Sequence, residues 1–398
     1  MKRTSFKAIA CSISLGLAAS AMPGDAGATT AASPSLGGLL DAAGLAISGY
    51  LDAAYEYQSG TGLFSSGTPD RVFDTRANSF TLHQAAITIS RQPKQGWGAV
   101  VNLTAGQDAE VIKSYPVTGG SNFDVTQAFV QYATGPVTLM LGKFVTLAGV
   151  EVIASPMNVN FSRSILFGYA IPFTHTGLRA TYAVNGHWTI DLGVNNGWDQ
   201  VSDANKQKTI EYGLDYTPAP TMNFAVQGYV GREPLAITNN VPSTAQGQRF
   251  LLDAIATWNV TAKWTLIANY DYGRQKDDSP GAAIASYDWD GVALYSNYQL
   301  APAWQLSVRG EYFDDRNGYR TGVVDSKTGA GQKWKEVTAT LNYAPAADVL
   351  LRLEGRYDRS NVADAFIESQ RVATDPAGAG TVYGDHVYST ALEAIYKF

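Results

Sequence analysis

Val349-Leu350-Leu351-Arg352-Leu353-Glu354-Gly355-Arg356-Tyr357-Asp358 alternates two chemistries residue by residue. Leu351, Leu353 and Tyr357 fall on one side of an extended chain, and Arg352, Glu354, Arg356 and Asp358 fall on the other. A period of two is the signature of a strand with unlike faces. Trp304, Leu306, Val308, Gly310 and Tyr312 repeat the pattern, opposite Arg309, Glu311 and Phe313. So do Leu178, Ala180, Tyr182 and Val184, and Phe250, Leu252, Ala254, Ala256 and Trp258. One face is too apolar for water, and the other is too charged for a soluble core.

Working outward, about 16 such segments appear between residue 44 and the end, with the second, ninth and twelfth (80–91, 221–231 and 286–299) less regular than the rest. Each is near the length a tilted strand needs to cross a bilayer. The links between them alternate in length. The short ones, such as Gln92-Pro93-Lys94-Gln95, Asn185-Gly186-His187 and Ala301-Pro302-Ala303, carry turn residues. The long ones cover about 58–77, 107–123, 146–174, 196–207, 232–247, 273–285, 314–333 and 359–384. No apolar run after the first 28 residues is long enough for a membrane helix. Hydrocarbon cannot satisfy an open sheet edge, so a membrane-crossing wall of strands must close. The expected fold is all-β, a transmembrane antiparallel up-and-down barrel of about 16 strands.

The start of the chain reads as a signal peptide, residues 1–28. Lys2, Arg3 and Lys7 precede an uncharged run from Ala8 to Ala21, with small-residue cleavage patterns ending at Ala21 and Ala28. Residues 29–43 are expected to be a short periplasmic segment, and 44–398 a single barrel domain. Cys11, the one cysteine, lies inside the signal, so the remainder has no disulfide, thiolate metal site or thiol nucleophile. Removing residues 1–28 takes Lys2, Arg3, Lys7 and Asp25 and leaves 26 basic and 34 acidic groups, a net of -8. An acidic chain without a basic run is not built for nucleic acid.

A charge facing lipid near the midplane costs about 2–4 kcal/mol for Arg or Lys. The polar faces, including Arg179, Asp191, Glu211, Asp215, Asp253, Asn269 and Asp271, therefore point to a wet lumen. Sixteen strands enclose more space than side chains fill, which implies an open channel. The longest link, 146–174, is rich in Val152, Ile153, Phe161, Ile165, Leu166, Phe167, Ile171 and Phe173. An apolar loop must be buried against something, and an inward fold across the lumen is expected. Glu151, Asn158, Asn160 and Arg163 would then face Arg352, Glu354, Arg356 and Asp358, with Arg309 and Glu311 beside them, as a pore constriction.

Gly149–Glu151, Ser155-Pro156-Met157-Asn158, Ser162-Arg163-Ser164, Pro172-Phe173-Thr174-His175-Thr176-Gly177, Asn195-Asn196-Gly197-Trp198-Asp199 and Arg309-Gly310-Glu311-Tyr312-Phe313 resemble the putative β-barrel porin-2 family of bacterial outer-membrane porins. The likeness runs from about Gly49 to Phe398. It implies a passive diffusion channel for small hydrophilic solutes or ions in the bacterial outer membrane, and it assigns no ligand residues. Met157 stands where an acidic residue is expected. The family implies a homotrimer, for which the small residues Gly49, Ala53 and Ala54 offer a packing face. The terminal Tyr396 and Phe398 resemble the signal read by the outer-membrane assembly machinery.

Other chemistries find little support. His83, His175, His187 and His386 show no metal spacing, and no nucleophile motif or phosphate loop accompanies them. No cofactor, metal or catalytic residue is expected. A substrate-specific channel for a sugar, phosphate or organic acid stays open as the alternative, with a barrel enzyme behind it. Phe313, Tyr55 and Tyr57 are too few to define an aromatic solute ladder.

Overall fold

In the computed structural model, residues 36–62, 71–116, 122–238, 240–363, 365–367 and 383–398 are described. The expected signal peptide, residues 29–35 of the expected periplasmic segment and parts of the first, second, fifth and eighth long links lie outside them. Sixteen antiparallel strands form one closed barrel. They are β1 Ala46–Gln58, β2 Ser79–Arg91, β3 Gly96–Ala105, β4 Phe123–Thr134, β5 Val137–Val145, β6 Thr174–Ala183, β7 Trp188–Asn195 and β8 Thr209–Ala219. Then come β9 Met222–Pro234, β10 Gln246–Asn259, β11 Trp264–Lys276, β12 Ser286–Ala301, β13 Trp304–Asp315, β14 Lys333–Ala346, β15 Val349–Ser360 and β16 His386–Lys397. Each strand pairs with its neighbours in sequence, and β1 pairs with β16 to close the wall. A helix, α1 Leu36–Ala43, leads into β1, and a shorter one, α2 Gln107–Val111, lies in the second long link. Among the described residues no helix is long and apolar enough to cross a membrane.

The alternation holds around the wall. Leu141, Leu192, Leu294, Leu353 and Leu392 lie exposed on the outer face, while Arg309, Arg352, Glu354 and Asp358 are buried inside. Aromatic pairs mark both rims, as the amphipathic rings of a barrel girdle do. Trp97–Tyr132, Trp188–Tyr216 and Trp304–Tyr343 (centroids 4.9, 4.0 and 4.2 Å apart) sit at the short-turn end. Tyr55–Phe80, Tyr57–Tyr388 and Phe250–Tyr272 sit at the long-link end. Tyr55 and Tyr57 thus belong to the outer girdle and not to a solute path.

The first of the three irregular segments has a physical cause in its pairing. Asp52 pairs with Gln84 and Ala53 with Leu82, so His83 is the extra residue of a bulge, and the face of β2 switches there. Register also shifts where β9 meets β8 and where β12 meets β13.

The barrel closes at Gly49, which exchanges backbone hydrogen bonds with Phe398 (2.8 and 2.9 Å). A Cβ on Gly49 would meet the Phe398 ring at 2.5 Å and the Ala86 carbonyl at 2.7 Å. This corrects the small-residue packing face: Gly49 lies under Phe398, and Ala54 points inward against Phe161 and Ala391. Of the three, only Ala53 remains exposed on the outer wall. The period of two puts Ala53 and Ala54 on opposite faces, so they cannot share an interface.

Leu294, in the middle of β12, is 56% exposed on the outer wall. Leu294→Arg should lower unfolding free energy in lipid vesicles by about 2–4 kcal/mol. Urea titration followed by tryptophan fluorescence would measure it, and no loss would mean this face does not meet hydrocarbon.

Candidate pore constriction

The third long link leaves β5 at Val145, crosses the lumen and returns to the wall at Thr174. It contains one 3₁₀ turn, Ser155–Met157, and one π turn, Leu166–Ala170, and is otherwise irregular. An irregular chain has few internal partners for its N–H and C=O groups, yet buried groups must be paired. The inward residues of the wall supply the partners.

Glu354 on β15 accepts from the N–H of Phe161 (2.7 Å) and of Ser162 (3.0 Å), with Thr340 donating to it from β14 (2.6 Å). Glu311 on β13 accepts from the N–H of Ile165 (3.0 Å) and Leu166 (3.2 Å). The arginines serve the carbonyls. Arg309 donates to Ser162 O (2.8 Å), Arg356 to Arg163 O (2.7 Å), and Arg352 to Ser155 O (3.2 Å) and Asn158 O. Each arginine also has an acid partner: Arg309 pairs with Glu151 and Glu336 (both 2.7 Å), Arg352 with Glu393 (2.7 Å) and Arg356 with Asp358 (2.7 Å). Arg71, from the link after β1, extends the chain of pairs to Asp358 (2.5 Å) and Glu56 (3.1 Å).

Within the loop, Glu151 accepts from Ser164 N (2.6 Å). Asn158 folds back on Val152, accepting from its N–H (2.9 Å) and donating to its carbonyl (2.8 Å). Arg163 donates to the carbonyls of Val152, Phe161 and Ile153. Asn160 reaches across to Thr340 (2.6 Å). The other side of the loop is apolar: Ile165, Leu166, Phe167, Ala170 and Ile171 bury against Phe73, Trp289, Phe313 and Trp334 in a core inside the barrel. Trp289 fits because Gly273 faces it without a side chain (a Cβ there would meet the ring at 1.9 Å), and its Nε1 donates to Ala170 O (3.0 Å).

The structure thus brings Glu151, Asn158, Arg163, Arg309, Glu311, Arg352, Glu354, Arg356 and Asp358 into one seam between loop and wall. Most are sealed there: Arg309 and Asp358 are 0% exposed, and the least covered, Asn158, is 7% exposed. The loop side chains that keep most contact with water are Val152 and Met157, the latter 51% exposed. On the wall, inward residues toward the short-turn end stay partly wet, among them Thr88, Thr138, Asp191, Asp215 and Thr265.

Several anchors escape the sequence reading. Gln84 donates to Ile153 O (2.8 Å) and accepts from Ser155 N (3.3 Å), but the His83 bulge conceals its face. Tyr229 accepts from Leu147 N (2.8 Å), and Asn269, which the alternation does place on the lumen side, accepts from Val150 N (3.3 Å), so β9 and β11 hold the start of the loop. Glu336 lay on an alternating strand and was legible in principle. Arg71, on an irregular link, carried no periodic signal.

The chain belongs to the family described as putative beta-barrel porin-2, OmpL-like, which it matches over residues 44–398. It is accordingly an outer-membrane porin of the bacterial cell, a passive channel protein for small hydrophilic solutes. Solved structures with the same fold include the outer-membrane channel DcaP of Acinetobacter baumannii, at 11% identity and a TM-score of 0.60, covering 89% of this chain and 97% of that one. OmpT of Vibrio cholerae in its trimer form shares 12% identity at a TM-score of 0.58, over 89% of this chain and 99% of that one. An anion-selective porin from Comamonas acidovorans shares 9% identity at 0.57, over 89% and 99%. No curated protein matches the chain.

Replacing Glu354 by Gln puts an amide N–H₂ where a loop N–H now donates. An unpaired buried donor costs about 1–3 kcal/mol. Glu354→Gln should therefore speed hydrogen exchange at the Phe161 and Ser162 amides roughly 5- to 150-fold. Unchanged exchange in the folded barrel would show that Glu354 does not hold the loop.

Proposed function

We propose that the inward third loop sets the size of the channel, and that the nine seam residues act by fixing it in place more than by touching the solute. The observation that carries this reading is the pattern of bonds: wall carboxylates take loop N–H groups and wall guanidiniums take loop carbonyls. A constriction built from backbone clamped at many points is rigid. Solutes then pass beside the loop, along Val152 and Met157 and the polar wall residues toward the short-turn end.

Further readings accompany this one. The protein has no catalytic role: His83 lies 3.3 Å from Asp108 and edge-on to Phe161, and His175 stacks on Tyr229 at 4.2 Å, both serving structure. Residues 1–28 are a cleaved signal and 29–43 a periplasmic lead-in to the barrel. The outward Tyr396 and Phe398, 49% and 60% exposed, are read by the assembly machinery during insertion. The assembly is a homotrimer, as in the trimer form of the Vibrio cholerae protein.

With its lone cysteine in the expected signal, the chain suits single-cysteine labelling. Met157→Cys, treated with a bulky cationic thiol reagent in planar bilayers, should cut single-channel conductance by at least a third. Leu294→Cys, on the lipid face, should not respond. Conductance that ignores the label at residue 157 would remove the loop from the solute path, and a folded barrel that never conducts would defeat the channel reading itself.

A further inference from the structure

At the long-link rim, above the inward loop, lies a partly open cavity of about 650 Å³. Pockets of about 300–1,000 Å³ suit small organic ligands. Arg249, at the long-link end of β10, and Arg320, on the link after β13, both line it, and Trp198 stands between them. The Arg249 guanidinium carbon lies 4.9 Å from the Trp198 ring centroid and that of Arg320 lies 5.5 Å from it. Arg320 is also 5.3 Å from the Trp289 ring.

These two arginines differ from the wall arginines of the loop seam. Arg309, Arg352 and Arg356 each hold a carboxylate at 2.7 Å. Among the described residues neither Arg249 nor Arg320 makes a salt bridge. Arg249 donates through Nε to Gln275 (2.6 Å) and through one terminal nitrogen to Pro234 O (3.0 Å) and Tyr319 Oη (2.7 Å). Its other terminal nitrogen donates to no described residue. Among the described residues Arg320 donates only through Nε, to Tyr169 O of the inward loop, and its two terminal nitrogens meet no described acceptor. Neither side chain has a fully buried atom lacking a partner, so the unengaged donors open to the cavity.

The acids nearest the two guanidiniums, Glu233 beside Arg249 and Asp199 and Asp315 beside Arg320, attract them through space but spend their hydrogen bonds elsewhere. Asp199 Oδ1 accepts from Phe173 N and Thr174 N (both 2.9 Å), and Glu233 accepts from Thr209 Oγ1 (2.6 Å) and Gln200 Nε2 (2.8 Å). Burial also pushes the Asp199 carboxyl above its ordinary range. Burial, and next the nearby Arg249, pull Arg320 below its usual range against the attraction of Asp315 and Asp199. Beside the guanidiniums, Leu235, Ala236 and Ile237 form an apolar side. Guanidinium forks match carboxylates, while apolar and aromatic walls suit a flat hydrocarbon body.

We propose that this cavity is a capture site for small organic carboxylates with a flat apolar body, placed where a solute meets the outer side of the constriction. The proposal rests on the channel reading above and names the solute class that the channel concentrates.

Isothermal calorimetry on the full barrel, folded in detergent, tests it with benzoate as the probe. Benzoate should bind saturably, acetate and inorganic phosphate at least tenfold more weakly, and neutral benzyl alcohol not at all. Arg249→Gln and Arg320→Gln should each weaken benzoate at least tenfold in barrels whose heat-modifiable gel mobility shows them folded. Arg320→Lys, which keeps the charge without the fork, should fall between, and Lys327→Gln on the exposed part of the same link should match the parent. Absence of saturable benzoate binding overturns the proposal. So does phosphate or acetate binding as tightly as benzoate, or parental affinity in whichever glutamine variant folds. Binding is read here without current, so a barrel that conducts but ignores benzoate sinks this inference alone, and one that binds but does not conduct sinks the channel reading alone.

Discussion

Every other feature of the lumen depends on one requirement: an irregular segment buried at membrane depth must have its backbone groups paired from outside itself. The third long link has two short turns and little other regular structure, so its N–H and C=O groups look to the wall. Carboxylates can only accept, and guanidiniums can only donate. The wall therefore needs both kinds, placed in register with the loop backbone, and β13 and β15 provide them by alternation. Removing one partner of such a buried pair is far more costly than the pair's net stabilisation, because the remaining charge is left without water. That asymmetry makes the loop a fixed part of the barrel.

The architecture was legible because lipid imposes a simple rule. Apolar-out and polar-in alternate with period two, and burial follows that period along β13 and β15, with Phe313 an apolar exception inside. Loop length sorted the two ends of the barrel without reference to any one strand. Where the reading blurred, the backbone itself departs from the rule. The extra residue His83 in β2 moves Gln84 onto the lumen face, and no pattern of apolar spacing announces a bulge. Ala53 and Ala54 illustrate the opposite error, since composition suggested a packing face where the pleat divides the two residues.

The candidate site was legible as a set of residues but not as a set of roles. Periodicity says which way Arg309, Glu311, Arg352, Glu354 and Arg356 point. It says nothing about what lies on top of them. Whether a lumenal charge meets water or meets a loop depends on the path of 146–173, which is fixed by three-dimensional contacts such as Trp289 on Ala170 and Tyr229 on Leu147. An apolar loop sequence signals burial, but the atoms that bury it come from strands around most of the wall.

The same distinction bears on where selectivity arises. A charge paired within hydrogen-bonding distance of its counter-charge presents a weak net field to a passing ion. The seam alternates Glu and Arg so closely that its members largely cancel. Uncompensated charge is what a solute senses, and it survives only where a cation lacks an acid partner. Among the described residues Arg249 and Arg320 have no acid within hydrogen-bonding distance, on the side of the loop toward the long links. In this barrel the charged residues that alternate most clearly in sequence therefore bind the loop to the wall, while Arg249, on the inward face of β10 with Asp253, and Arg320, on an irregular link, make no salt bridge among the described residues.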